Sequence, residues 1–177
     1  MSKVKVEMKK EIIRGLFNVL VAIATETVSR KFAYAASLNY DELEKYKDAI
    51  DDEEKNINGW EDYNKKRKDT IENHSEKDES GKPKIETVGK STQYMIEDKS
   101  AFNDDIKALE EEYKEVLDEQ KKMLKEKEEV ELHMVEMNHV PELVSISVMK
   151  YIKCFVIDDK KENSVKCSKC GNDEIIK

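Results

Sequence analysis

Apolar side chains recur at heptad spacing in two stretches, residues 36–74 and 102–127, with charged side chains between them. In the first, Ala36, Leu43, Ile50, Ile57, Asn64 and Ile71 stand seven apart, and Tyr46 and Trp60 follow members of that row by three. In the second, Phe102, Ile106, Leu109, Tyr113, Val116, Gln120 and Met123 alternate steps of four and three, with Leu117 and Leu124 widening the stripe. A helix gathers positions so spaced into one narrow seam. The pattern predicts a long helix from near residue 28 to 74 and a second from near 98 to 128, folded back on each other as an antiparallel hairpin. Glu53, Asn64 and Arg67 interrupt the seam. Gly59 marks a bend or break near residues 56–59, because glycine in a helix interior costs about 1 kcal/mol relative to alanine.

Shorter elements flank the hairpin. Val4, Val6 and Met8 alternate with Lys3, Lys5 and Glu7, the period of a half-buried strand. Ile12, Ile13, Leu16, Phe17, Leu20 and Ile23 then return at helical spacing, which predicts a core helix over about residues 9–24 and a break in the β-branched segment 25–30. Between the long helices, residues 75–98 form a tip loop. Within it Ile85, Thr87, Thr92, Tyr94 and Ile96 alternate about Gly89-Lys90-Ser91, the pattern of a small β-hairpin. Val130, Leu132 and Met134 alternate with Glu131 and His133 and predict a second strand, able to pair with residues 3–8. Ser145 or Ser147 caps a short C-terminal helix carrying Ile146, Met149 and Ile152. The expected fold class is α+β, mainly α, with a hairpin domain over residues 1–157 and a polar, cysteine-containing tail over 158–177.

Composition narrows the function. Of the 177 residues, 41% are charged against 38% hydrophobic, with 5 Gly and 2 Pro, which suits solvated helices rather than a sheet-rich enzyme. The formal charge of −8 is uneven: residues 1–31 hold seven basic and three acidic side chains, whereas residues 41–63 hold ten acids and three lysines. Direct nucleic-acid binding is disfavoured, since phosphate affinity needs clustered Lys and Arg. A protein partner with a basic groove is better matched. The longest apolar run, residues 16–24, is interrupted by Asn18 and is about half of what a membrane-spanning helix needs, so a soluble, cytoplasmic protein is expected.

Three features carry candidate chemistry. An acidic rod that includes Asp48, Asp51, Asp52, Glu53 and Glu54 can imitate the phosphate array of a nucleic acid; the bland alternative is a solvated helix face. Lys65, Lys66, Arg67 and Lys68 form a compact basic patch, flanked by Glu61, Asp62 and Asp69, for which i,i+4 pairing along the helix is the simpler explanation. Cys167-Ser-Lys-Cys170-Gly171 has the spacing of half a zinc site. Cys154 can supply a third thiolate and His139, or His133, a fourth ligand, although Tyr151 stands where a complete ribbon has its other cysteine. The alternative is that Cys154 is a small buried helix residue and the pair are plain thiols. No Gly-x-Ser-x-Gly, Walker, His-Glu-x-x-His or dinucleotide fingerprint occurs, so no catalytic residue is assigned.

The order of elements, with the phrases Ser29-Arg-Lys-Phe-Ala-Tyr-Ala-Ala36, Glu76-Lys-Asp-Glu-Ser-Gly-Lys-Pro-Lys84, Ile96-Glu-Asp-Lys-Ser-Ala-Phe-Asn103 and Glu129-Val-Glu-Leu-His-Met134, resembles small helical-hairpin proteins of bacteriophages and prophages of Gram-positive bacteria. The likeness covers about residues 1–157; the cysteine tail departs from it. The resemblance implies a phage or prophage setting and stoichiometric binding to a host or phage protein, and it offers no assigned catalytic residues to carry over. An acidic inhibitor of a host nucleic-acid-handling defence complex, of the anti-CRISPR or anti-restriction type, is the expected function. A virion or tail assembly factor is the first alternative, and a zinc-knuckle nucleic-acid adaptor the second. The seam can pair within one chain or between two, which leaves a homo-oligomer open.

Overall fold

A computed structural model describes residues 2–23, 28–88, 91–142 and 144–157. The elements in chain order are β1 (Lys3–Lys9), α1 (Lys10–Ile23), α2 (Arg30–Asn56), α3 (Trp60–His74), β2 (Ile85–Val88), β3 (Ser91–Tyr94), α4 (Lys99–Glu112), α5 (Lys114–Leu124), β4 (Lys127–His133), β5 (Val135–Glu136), α6 (Ile146–Ile152) and β6 (Val156–Ile157). The fold class is α+β, mainly α. Among the described residues no helix is long and apolar enough to cross a membrane. The residue 25–27 part of the expected break, Gly89-Lys90 of the tip turn, and the tail with Cys167 and Cys170 lie outside the described residues.

Within the 1–157 region drawn from the sequence there are two compact units. Described residues up to Asp52 and from Met123 onward form the first, and Glu53–Lys122 the second.

In the first unit β1 and β4 pair antiparallel, with Val4 opposite Leu132 and Val6 opposite Val130. The strand at 130–134 thus begins earlier than its apolar alternation, at Lys127, because the leading Lys127-Glu-Glu129 contributes charge rather than apolar period. Val130 and Leu132 are fully buried, as are Ile13 and Leu16 of α1, Phe32, Ala35 and Leu43 of α2, and Ile152 and Phe155. On the opposite face the charges interlock diagonally: Lys3 with Glu131 at 3.4 Å, Lys5 with Glu129 at 2.6 Å, and Lys127 with Glu7 at 2.6 Å. Residues directly opposite include Glu7 against Glu129 and Lys9 against Lys127, so the diagonal pairing is what relieves the like-charge contacts. A two-residue parallel pair, β5 with β6, was not legible in the sequence.

Helix α6 packs on α1. Gly15 makes that approach possible, since a Cβ there would lie 2.2 Å from Cε1 of the Tyr151 ring.

In the second unit the long helix is broken, as Gly59 foreshadowed. Gly59 adopts φ +88°, and α3 restarts with Tyr63 N–H donating to Gly59 C=O at 2.9 Å. The break shifts the helical phase, so Tyr63 is buried while Asn64, the expected seam residue, is exposed. The stripe of the following helix is found as expected, with Leu109 buried and Phe102, Ile106, Tyr113 and Val116 half-buried; it is interrupted at Tyr113 between α4 and α5. Partners on α3 and α4 run in opposite order, His74 with Asp105 and Lys66 with Glu112, each at 2.8 Å.

One histidine gives a pH prediction. Burial, then the charge of Lys3, depresses the His133 imidazole below its ordinary value near 6.5. The unfolded chain therefore binds more protons than the folded one as pH falls below about 6.5, and stability drops across that window. Denaturation midpoints measured between pH 7 and 5 should fall, with a shallower slope in His133→Gln. An equal slope in the variant would reject His133 as the source.

Candidate partner-binding surface

Helix α2 sorts its residues onto two opposed faces. Inward, Phe32, Ala35, Asn39, Leu43 and Ile50 are 0–2% exposed. Three- and four-residue steps place these on one side of the helix. The same steps gather Asp41, Glu44, Asp48 and Asp52 on the other side, and all four are exposed. Asp41, Asp48 and Asp52 sit about half a turn from Leu43 and Ile50, whereas Glu44 lies about 100° round the helix from Leu43, on the flank of the stripe. Tyr34 stands seven residues before Asp41 on this outward face and is 60% exposed. An aromatic residue so presented is the kind that anchors protein interfaces. The inward heptad row gives no sign of Tyr34; the outward row Tyr34, Asp41, Asp48, with the same seven-residue spacing, is the signal that marks it.

The acids of this stretch are not equally available. Asp51 is ion-paired to Arg14 at 3.3 Å and to Lys47 at 2.9 Å, and Asp48 lies 3.2 Å from the same lysine. Hydrogen bonds from the Lys47 ammonium to Asp51, then Asp48, hold its pKa above the ordinary lysine value. Glu44 accepts a 3.4 Å hydrogen bond from Tyr40, whose phenol is pushed up first by burial and then by that carboxylate. Asp41 has no hydrogen-bond or ion-pair partner among the described residues.

Glu53 and Glu54 belong to the second unit. Glu53 is exposed. Glu54 departs from expectation: it is 8% exposed and accepts a 2.7 Å hydrogen bond from Gln120. It follows Ile50 by four residues and precedes Ile57 by three, which turns it inward. A partner cannot reach it as it stands.

The basic patch is likewise divided. Lys66 pairs with Glu112 and Asp62 and sits 4.8 Å over the Tyr113 ring. The bond to Glu112, then the one to Tyr113, raises its pKa well above the usual lysine range. Tyr113 donates in turn to Asp62, and that bond is the first cause holding the Asp62 carboxyl below its ordinary value. Lys68 pairs with Glu72 at 3.7 Å along the helix. Lys65 and Arg67 are exposed and have no ion-pair partner among the described residues. Only these two remain of the expected cationic site.

Comparison with known protein families, curated proteins and solved structures gives no match. The residues alone carry the functional reading.

The metal expectation finds only part of its ligands here. Cys154 is half-buried and its thiol donates to Tyr151 C=O at 2.9 Å. His139 Nε2 lies 3.3 Å from a Glu136 carboxylate oxygen, and its backbone carbonyl accepts from Ser29 at 2.7 Å. Among the described residues no group of three His, Cys, Asp or Glu side chains is placed to hold a metal ion.

Proposed function

We propose that the chain is a non-enzymatic protein acting by stoichiometric binding, its acidic α2 face seated in the basic groove of a host nucleic-acid-handling defence complex. The observation that carries this reading is the exposed stripe Asp41, Glu44, Asp48 and Asp52, opposite a buried row on the same helix. Eleven steps of about 1.5 Å place these carboxylates over roughly 16 Å, one per ~5.5 Å. One strand of DNA carries a charge per about 3.4 Å, so the stripe supports imitation of a single strand's backbone at reduced charge density. Tyr34 at one end offers a stacking or apolar anchor. In this reading the helices display the surface as arms of a hairpin, and a zinc knuckle on Cys167 and Cys170, completed by Cys154 and His139, is an accessory.

The first test is copurification of the tagged chain from phage-infected, defence-competent cells. A Cas or restriction protein in the eluate is the expected result; recovery of virion components alone would favour an assembly role and overturn the inhibitor. The second test replaces Asp41, Glu44, Asp48 and Asp52 by their amides. Binding to the captured partner should weaken by about 30- to 1,000-fold, at ~0.5–1 kcal/mol per charge, and become less salt-sensitive. Amidating Glu54 should not reproduce this loss, because it is already turned inward. Unchanged affinity in the fourfold variant rejects the stripe as the contact.

A further inference from the structure

The β1–β4 pair has two outer edges, and they are treated differently. Met134 N–H donates to Ser2 C=O at 3.0 Å and Lys10 N–H to Glu126 C=O at 2.9 Å, so even-numbered residues of β1 face β4. Odd-numbered residues of both strands therefore turn their N–H and C=O groups outward. On β4 this edge is met by α2 at two places: Asn39 bonds both the N–H and the C=O of His133, and Tyr46 donates to Glu129 C=O at 3.0 Å. On β1 the outward groups of Lys3, Lys5 and Glu7 meet no strand, as β1 pairs with β4 alone among the described residues.

Lysines on an edge strand ordinarily repel an incoming strand. Here Lys3, Lys5 and Glu7 are already ion-paired to Glu131, Glu129 and Lys127, so the lysines repel an incoming strand less, and a Lys5–Glu7 contact with that strand shares existing pairs. The charge order of β1 is also self-complementary. Laid antiparallel on itself about a two-fold axis at Val6, the strand sets Lys5 opposite Glu7 of a second copy, twice, with Val6 opposite Val6 and Val4 opposite Met8. Sliding by two residues one way sets Lys5 against Lys5 while still setting Lys3 opposite Glu7 twice; sliding the other way sets Glu7 against Glu7 and Lys5 against Lys9. The Lys3–Lys9 contacts at the ends involve lysines already held by Glu131 and Glu11.

We propose that β1 is a pairing edge for a second copy of this chain, joining two β4–β1 pairs into a four-stranded sheet across a two-fold axis. Val4 and Val6, half-buried in one chain, become covered by this union, and the outward N–H groups of Lys5 and Glu7 gain acceptors.

Sedimentation velocity of the full chain over a concentration series tests it. The expected species is a dimer that Lys5→Pro dissociates with unchanged circular dichroism, because that proline removes an N–H pointing away from β4. The dimer dissociation constant should rise by about tenfold or more. A chain that stays monomeric at every concentration, or a dimer that Lys5→Pro leaves intact, overturns the proposal. Should Lys5→Pro lose its native circular dichroism, hydrogen exchange in the unaltered chain decides. Protection of the Lys5 and Glu7 amides must then rise with concentration, and concentration-independent exchange overturns the proposal.

Discussion

Replacing Asn39 by leucine should destabilise the first unit by about 2–4 kcal/mol, although leucine is the better residue for a buried helix position. Asn39 is fully buried. Its amide oxygen accepts from His133 N–H at 2.6 Å and its amide nitrogen donates to His133 C=O at 3.0 Å. One side chain thus supplies what a neighbouring strand would supply to the edge of β4. Leucine fills the volume and leaves both backbone groups dry, each at about 1–3 kcal/mol, offset by roughly 1.5 kcal/mol of apolar gain. Urea denaturation measures the difference. Asn39→Asp separates the two bonds, since a carboxylate can accept from the N–H but faces the carbonyl with a second oxygen. Its pKa should rise in the folded state, so that variant becomes less stable as pH climbs from about 4 to 7. The direction is opposite to that given by His133. A leucine variant as stable as the parent would mean that water reaches the β4 edge.

What could be read in the sequence was what spacing alone decides. Leu43, Ile50, Ile57 and the stripe from Phe102 to Met123 follow from helical period, and the pairing of residues 3–8 with the strand near Val130 follows from alternation. Asn39 was invisible to a search for apolar residues. It nevertheless sits seven before Tyr46 on the inward row, where a polar residue fixes register. Ala36, expected in the seam, is half-buried, while its neighbour Ala35 is fully buried. Two adjacent alanines give no apolar contrast by which to choose. Tyr63 was lost because a heptad count cannot be carried through a left-handed glycine. For the surface, the sign of charge was legible but its availability was not. Glu54, Asp51 and Lys66 are committed to Gln120, Arg14 and Glu112, residues 37 to 66 positions away in sequence.

Gly59→Val should cost about 2–4 kcal/mol, and the loss should fall on the second unit. Gly59 holds φ +88°, a region where a β-carbon crowds its own backbone and a branched one crowds it further. The added Cβ would also lie 3.1 Å from a methyl of Val116, so that side chain must give by a few tenths of an ångström. Gly59→Asn isolates the second effect, because asparagine tolerates the left-handed region and pays mainly for the contact. Hydrogen exchange resolves where each variant loosens. Amides over residues 60–112 should lose protection in Gly59→Val, while those of β1 and β4 keep theirs. The variant also divides the functional reading. Asp41, Glu44, Asp48 and Asp52 belong to the first unit, and Lys65 and Arg67 to the second. If partner affinity survives Gly59→Val, the acidic stripe suffices for binding. Affinity that falls together with protection of residues 60–112 would transfer the contact to α3 and its two open cations.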